Sequence, residues 1–126
     1  MTPDWVASAI DEFGRGRGLK TLSLNGFGAA SLRFDNGWRL RFEYADGMLN
    51  AMITMEVEPD DEALKRVLMA ANPEVERAYP LRAGYLAGRR EAVWAVCLPE
   101  REVNLVTLEE AFQELWQIAV EQKDWR

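Results

Sequence analysis

Few side chains of this chain have the types and spacing that catalysis or metal binding requires. The sequence contains no histidine, so the commonest general base near neutral pH and the commonest metal ligand are both missing. Its single cysteine, Cys97, lies in the apolar segment 92–98, where apolar surroundings disfavour the reactive thiolate. We therefore expect Cys97 to be a buried structural residue, and we predict that the protein is not an enzyme.

Two further patterns could bind ions or phosphate. Asp60, Asp61 and Glu62 are consecutive acids, but the helix dipole favours acids in the first turn of a helix. The glycines between residues 14 and 18 and between 26 and 28 could form a phosphate-binding loop, which must follow a strand and open a helix. Here the first set ends a helical segment and the second precedes a strand. We interpret these glycines as turn and cap residues, and we expect no metal and no cofactor.

Composition restricts the classes of partner. With 126 residues, of which 48% are hydrophobic, the chain predicts one domain over residues 1–126 with a single core. A net charge of −6 disfavours nucleic acid and anionic lipid as partners. No apolar stretch approaches the ~20 residues of a membrane-spanning helix, and the start Met1–Asp4 lacks the basic and apolar segments of a secretion signal. We expect a cytoplasmic protein without membrane insertion.

Helical periodicity occurs in three segments. The first begins at Thr2-Pro3-Asp4, a pattern typical of a helix start, and continues with an apolar stripe to Phe13. The second begins at residues 59–62 and is predicted to end at Asn72-Pro73, because the residue before proline disfavours the helical conformation. The third begins near Thr107, which has capping-box spacing to Glu110.

Alternating apolar and polar residues predict five strands. Asn36-Gly37 and Asp46-Gly47 favour tight turns between the first three strands, and another strand pair surrounds residues 88–90. The last strand is apolar on both faces, so we expect it to be central or covered. The element order is therefore α-β-β-β-α-β-β-α, and the predicted fold class is α+β with an antiparallel sheet packed against helices.

Some apolar residues are candidates for binding rather than for the core. The alternation assigns Trp38, Leu40, Phe42 and Tyr44 to the core face of their strand. Met48 and Met52 point the other way, toward the face that carries Arg39 and Arg41, and flexible thioethers there suit adaptable binding. For Trp5 and Val6, packing and binding remain equal alternatives, because Ala9, Ile10 and Phe13 already provide a core face.

Several local patterns resemble the class I type III secretion chaperones, the Tir chaperone or CesT-like family. Residues 18–24 leading into Ala30-Ser31-Leu32-Arg33-Phe34-Asp35 are similar to that family's link from its first helix into its first strand. Leu68-Met69-Ala70-Ala71-Asn72 is similar to the end of its second helix. Leu98-Pro99 and the last helix finishing near Trp125 also fit, whereas residues 73–80 depart from the pattern.

The resemblance implies a small acidic homodimer that holds the N-terminal segment of a secreted effector before export. It implies that the segment is bound in extended, partly unfolded form and kept soluble and export-competent, as a virulence function in the cytoplasm. For this role we predict that the binding candidates identified above, Trp5, Val6, Arg39, Arg41, Met48 and Met52, contact the effector. The implied dimer interface consists of Leu64, Val67, Leu68, Tyr85 and Trp94.

Three rival functions remain open at this stage. The same fold could sequester a transcriptional regulator or anti-activator of the secretion system, and only the identity of the partner would distinguish this role. An enzyme with paired carboxylates would need an enclosed pocket that contains two acids with perturbed titration. A purely structural subunit would be incorporated into an assembly in fixed proportion.

Overall fold

A five-stranded antiparallel sheet positions the other elements. The computed structural model of the protein describes residues 2–19, 22–72, 74 and 77–124. The strands are β1 (Ala29–Arg33), β2 (Arg39–Ala45), β3 (Met48–Glu56), β4 (Leu81–Leu86) and β5 (Glu91–Pro99). The helices are α1 (Asp4–Gly16), α2 (Asp61–Met69) and α3 (Leu105–Asp124), and a 3-10 turn, Glu100–Glu102, precedes α3.

The strand order is β1-β2-β3-β5-β4. The turn between β2 and β3 consists of Asp46 and Gly47, both with positive φ (51° and 76°), as a two-residue hairpin turn requires. Strand β5 lies between β3 and β4, which confirms the prediction that a strand apolar on both faces is central. Strands β1 and β4 are the two edges of the sheet.

One face of the sheet carries the core and the other faces solvent. Along β3 and β5, alternate residues are fully buried, including Leu49, Ile53 and Trp94. All three helices contact the sheet or each other on this side, through α1 with α3, α3 with β3 and β5, and α2 with β4. The core prediction holds for Trp38, Leu40 and Phe42.

The helix boundaries correct some details of the sequence interpretation. Helix α1 begins at Asp4, and its N-cap residue is Pro3 rather than Thr2. No side chain caps this end of the helix with a hydrogen bond. Helix α2 is capped by Asp60, whose carboxylate accepts from the amide of Ala63 at 2.8 Å. It ends at Met69, before the predicted Asn72. The predicted stop at Pro73 and the helix end near Trp125 lie outside the described residues, as do Lys20 and Thr21 of the link.

The N-terminus of α3 uses a different capping pair from the one predicted. The side-chain oxygen of Asn104 accepts from the amide of Thr107 at 3.0 Å, and the hydroxyl of Thr107 accepts from the amide of Asn104 at 3.0 Å. This is a reciprocal capping arrangement in which Thr107 takes the third helical position. The helix therefore begins at Leu105, because Asn104 rather than Thr107 is the first capping residue.

The α+β fold class and the element order are confirmed by this architecture. In the part of the chain that the structure describes, no helix combines the length and the apolar character needed to span a bilayer.

Candidate functional site

An aromatic groove lies where the end of α1, the end of β1 and the side of α3 meet. It has a volume of about 370 Å³. Its lining, which defines the term aromatic groove below, consists of Arg17, Leu19, Phe34, Phe112, Gln113 and Trp116. The four apolar members are half-buried, whereas Arg17 and Gln113 are exposed. The groove is therefore an apolar depression with two polar side chains at its rim.

Helix α1 ends in a way that directs the chain into this groove. The amide of Leu19 donates to the carbonyl of Gly14 at 2.6 Å, and the amide of Gly18 donates to that of Arg15 at 3.2 Å. With Gly18 at φ 73°, this is a Schellman motif. Gly14 is a buried helical residue rather than a turn, and a Cβ there would lie 2.7 Å from the carbonyl oxygen of Leu19. The glycines thus place Arg17 and Leu19 at the groove.

The floor of the groove is continuous with the core through aromatic rings. The ring of Phe112 lies 5.6 Å from that of buried Phe13, measured between centroids. The ring of Phe34 lies 5.0 Å from that of Trp116 in edge-to-face contact, and Trp116 lies 4.8 Å from Trp38. Because buried neighbours fix these rings, the groove is preformed rather than created by a ligand.

Strand β1 borders the groove and is an unpaired edge. At one end of the β1–β2 ladder, the amide of Phe34 donates to the carbonyl of Trp38. At the other end, the amide of Tyr44 donates to the carbonyl of Gly28. Since hydrogen-bonded pairs alternate in antiparallel strands, Ser31 and Arg33 direct their amides and carbonyls away from β2. Between described residues, backbone hydrogen bonds from the preceding link to β1 stop at Ala29. The edge beyond Ala29 therefore has free main-chain donors and acceptors.

The opposite end of α1 forms a second apolar corner. The side chain of Trp5 is 53% exposed, and its indole N–H donates to the carbonyl of Glu100 at 2.8 Å. The Glu100 carboxylate accepts from the hydroxyl of Tyr44; this hydrogen bond, with some burial, raises the pKa of Tyr44. Phe27, 94% exposed, lies in the loop just before β1. The corner is held rigidly yet presents apolar surface.

The six residues predicted to bind an effector do not form one site. Val6 is fully buried, which removes its side chain from the surface. Trp5 lies at the start of α1, on the helix side of the sheet, with its indole hydrogen-bonded to Glu100. The other four residues lie on the solvent face of the sheet: Arg39, Arg41, Met48 and Met52.

The solvent face of the sheet mixes apolar and charged side chains. Arg41 lies directly opposite Met52, as the alternation predicted, and forms an ion pair with Glu43 at 2.6 Å. Arg39 lies opposite Thr54 and Arg33. Cys97 also lies on this face, partly exposed, so the expectation of a buried cysteine was wrong. Strand β5 is central and has only one covered face, which is why Cys97 reaches solvent.

The corner between α2 and the edge strand β4 is the third apolar surface. Leu68 is 58% exposed, and Leu64 and Tyr85 are half-buried. Met69, 59% exposed, lies on the other side of α2, where it lines a cavity with Ile118 and Gln122 of α3. Two other residues predicted for a dimer interface, Val67 and Trp94, have no exposed surface. The indole N–H of Trp94 donates to the carbonyl of Val67 at 3.0 Å. These two side chains therefore anchor α2 to the sheet and do not reach a partner directly.

The groove offers apolar surface beside main-chain hydrogen-bonding groups, which suits binding of an extended polypeptide. Within residues 2–19, 22–72, 74 and 77–124, no group of three or more potential metal-ligating side chains occurs. The groove residues Arg17, Leu19, Phe112 and Trp116 were not among the site residues predicted from the sequence. The sequence shows both a glycine-rich helix end and aromatic residues in α3. These two features indicate a groove only once the fold brings them close together.

A family model and several solved structures match the chain. The family model described as "Type III secretory system chaperone SycN" matches residues 5–122. No curated protein sequence is similar enough to the chain to count as a match.

Several solved structures share the fold. The type III secretion chaperone SycH of Yersinia pestis, in complex with a stable fragment of YscM2, is similar with a TM-score of 0.70 and 15% identity, over 93% of this chain and 98% of the other. The ExsC–ExsE complex is similar with a TM-score of 0.76 and 21% identity, over 94% of this chain and 92% of the other. The HopA1–SchA chaperone–effector complex is similar with a TM-score of 0.64 and 18% identity, over 94% of this chain and 91% of the other.

Proposed function

The chain belongs to the family of the type III secretory system chaperone SycN, and from this premise we propose how it works as a chaperone. It is a class I chaperone that binds the N-terminal segment of a secreted effector in extended, partly unfolded form. It acts in the cytoplasm as one domain, without a cofactor and without catalysis. Holding the segment apart from other chains keeps it soluble and competent for export.

The observation that carries this proposal is the aromatic groove beside the free edge of β1. An extended segment that pairs with β1 gains main-chain hydrogen bonds from Ser31 and Arg33, which direct their polar groups outward. Every second side chain of such a segment points to the helix side of the sheet. At the Phe34 end of β1, that side is the aromatic groove.

The opposite end of β1 extends the same surface. Gly28, just before β1, lies beside Thr2, since a Cβ added to Gly28 would be 3.4 Å from the Thr2 hydroxyl oxygen. Strand β1 therefore runs from the corner of Trp5 and Phe27 toward the groove. An extended chain advances about 3.3 Å per residue, so roughly six client residues reach from one apolar site to the other. This continuity favours a segment over a small molecule.

A homodimer through the α2–β4 corner completes the proposal. Leu68 leaves apolar surface exposed on α2, which packs on the edge strand β4, and the main-chain groups of an edge strand need a cover. A second copy of the chain that packs there buries both features. Each copy then presents its own groove, so a long client segment is able to wrap around the pair. Leu64 and Tyr85 contribute the half-buried rim of this interface.

The direct test is capture of the client with a groove-filling variant. We expect tagged wild-type protein, expressed in its own bacterium, to recover one dominant protein bound through its N-terminal region. Gln113→Trp should lower the recovery about tenfold, because the indole fills the apolar space that a client side chain needs. Gln117→Trp, one turn further along α3 and outside the groove, is the matched control.

Mass spectrometry of the captured protein decides between the two binding roles. If it is a secreted protein, the chaperone role stands. If it is a transcriptional regulator or an anti-activator, the same surface performs the regulatory role. Equal recovery by Gln113→Trp and Gln117→Trp would show that the groove does not bind the client.

A second prediction tests strand addition at β1. Ser31→Pro removes an outward amide and adds a ring at the edge, a substitution that edge strands tolerate because no internal hydrogen bond is lost. We expect client affinity to fall about tenfold by isothermal titration calorimetry, with unchanged circular dichroism. Ser31→Ala keeps the amide and should bind as the wild type does. Identical affinities of the two variants would contradict pairing at this edge.

A further inference from the structure

The rim of the aromatic groove carries a positive charge that the fold itself does not use. The guanidinium carbon of Arg17 lies 4.6 Å from the centre of the Phe112 ring and 5.1 Å from that of Phe13. Among described residues, the ion pairs are Arg41–Glu43, Arg77–Glu114 and Arg90–Glu58, and none includes Arg17. The Arg17 guanidinium thus lies over the groove wall, and within the described residues its hydrogen-bond donors have no partner.

A guanidinium that lies over an aromatic ring keeps its donors for other partners. Its attraction to the ring depends on its charge, while its five N–H bonds form a fixed planar fork. The Schellman motif fixes the backbone of Arg17, and the two rings restrict its side chain. A guanidinium held in this way is a preorganised site for a carboxylate, since less side-chain entropy is lost on binding.

The charge of the rest of the molecule makes this position selective. The chain has a net charge of −6, which disfavours the approach of an acidic client at long range. A carboxylate next to Arg17 instead meets an uncompensated cation at the edge of an apolar depression. In an extended segment, residues two positions apart point to the same face. An apolar side chain in the groove and an acid at Arg17 therefore fit one strand with that spacing.

We propose that the aromatic groove recognises a pair of client side chains two residues apart, a large apolar side chain that fills the groove and an aspartate or glutamate that binds Arg17. This rests on the proposed function and adds to it a sequence preference of the client. The pair also sets the register of the bound segment, because sliding by one residue turns both side chains to the other face.

The test uses fluorescein-labelled peptides of serine and threonine that contain Phe-Thr-Asp, Asp-Thr-Phe, or the same triplets with Asn for Asp. By fluorescence anisotropy, we expect the better Asp peptide to bind about threefold to tenfold more tightly than its Asn counterpart, a range set by a partly exposed charged hydrogen bond. The ratio should shrink toward one in high salt and in Arg17→Gln. It should persist in Arg15→Gln, which removes the same charge outside the groove.

Each outcome separates this inference from the proposed function. Equal binding of Asp and Asn peptides, weakened alike by Gln113→Trp, overturns the preference for an acid and leaves the groove as the client site. A preference that survives in Arg17→Gln overturns the role of Arg17. If none of the peptides binds the wild-type protein saturably, both the preference and the groove as a client site are overturned.

Discussion

Leu68→Asp is expected to convert the proposed dimer into monomers. Leu68 is 58% exposed on α2, which packs on the edge strand β4. In the proposed interface, a carboxylate at this position would lose its hydration without gaining a partner. An unpaired buried charge costs about 3 kcal/mol or more, which weakens association at least about a hundredfold. Light scattering coupled to size-exclusion chromatography should report half the wild-type mass at micromolar concentration.

Val106→Asp is the matched control for this prediction. Val106 is also a large exposed apolar residue, at 64%, but it lies in the first turn of α3, where the helix dipole favours an acid. It should leave the mass and the unfolding transition unchanged. A Leu68→Asp protein with the wild-type mass would contradict the α2–β4 interface. A wild-type protein that is monomeric alone but pairs with a second, different chaperone chain would replace the homodimer by a heterodimer.

Trp94→Ala is expected to destabilise the chain itself by about 3–5 kcal/mol, the usual cost of removing a buried tryptophan. Trp94 is fully buried, lies opposite Ile53 and Ala83 in the sheet, and donates to the carbonyl of Val67. Its loss leaves a cavity under α2 and an unpaired carbonyl. Urea unfolding followed by circular dichroism, at one fixed protein concentration, measures the change.

Two further variants separate packing from hydrogen bonding. Trp94→Phe keeps most of the ring but removes the donor, so we expect a smaller loss of about 1–3 kcal/mol. Trp5→Ala, at a half-exposed position, should change the free energy of unfolding by less than about 1 kcal/mol. Wild-type stability of Trp94→Ala would contradict the core position. If Trp94→Ala lowered the dimer affinity without changing the stability of the monomer, Trp94 would belong to the dimer interface, as the sequence predicted.

The sequence interpretation of α2 shows where periodicity is informative and where it is not. Apolar residues at helical spacing predict one stripe on this helix, made of Ala63, Leu64, Val67, Leu68 and Ala71, and the structure divides that stripe. Val67 faces the sheet while Leu68, one residue later and about 100° around the helix, faces solvent. The apolar stripe is wider than the contact between α2 and the sheet, so some of its residues stay exposed. Hydrophobicity alone does not indicate which residues these are.

Strand alternation predicted side-chain orientation more reliably, because successive residues of a strand point to only two faces. The alternation of β2 and β3 placed Met52 beside Arg41 and both away from the core, as the register confirms. The same reasoning failed for Cys97, because both faces of β5 are apolar and the sequence contains no sign of which one the helices cover. That decision depends on α1 and α3 packing on one side only.

The sequence by itself determined the element order and the hairpin turns, because these follow from local periodicity and from residues that accept positive φ. For β5 it left a central and a covered position as alternatives, and the strand order decided for the central one. It also carried the resemblance to secretion chaperones, which the match over residues 5–122 supports at the level of the family. The tertiary structure alone decided the groove. Arg17 and Leu19 lie nearly a hundred residues before Phe112 and Trp116 along the chain, and only the packing of α1 against α3 brings them into contact.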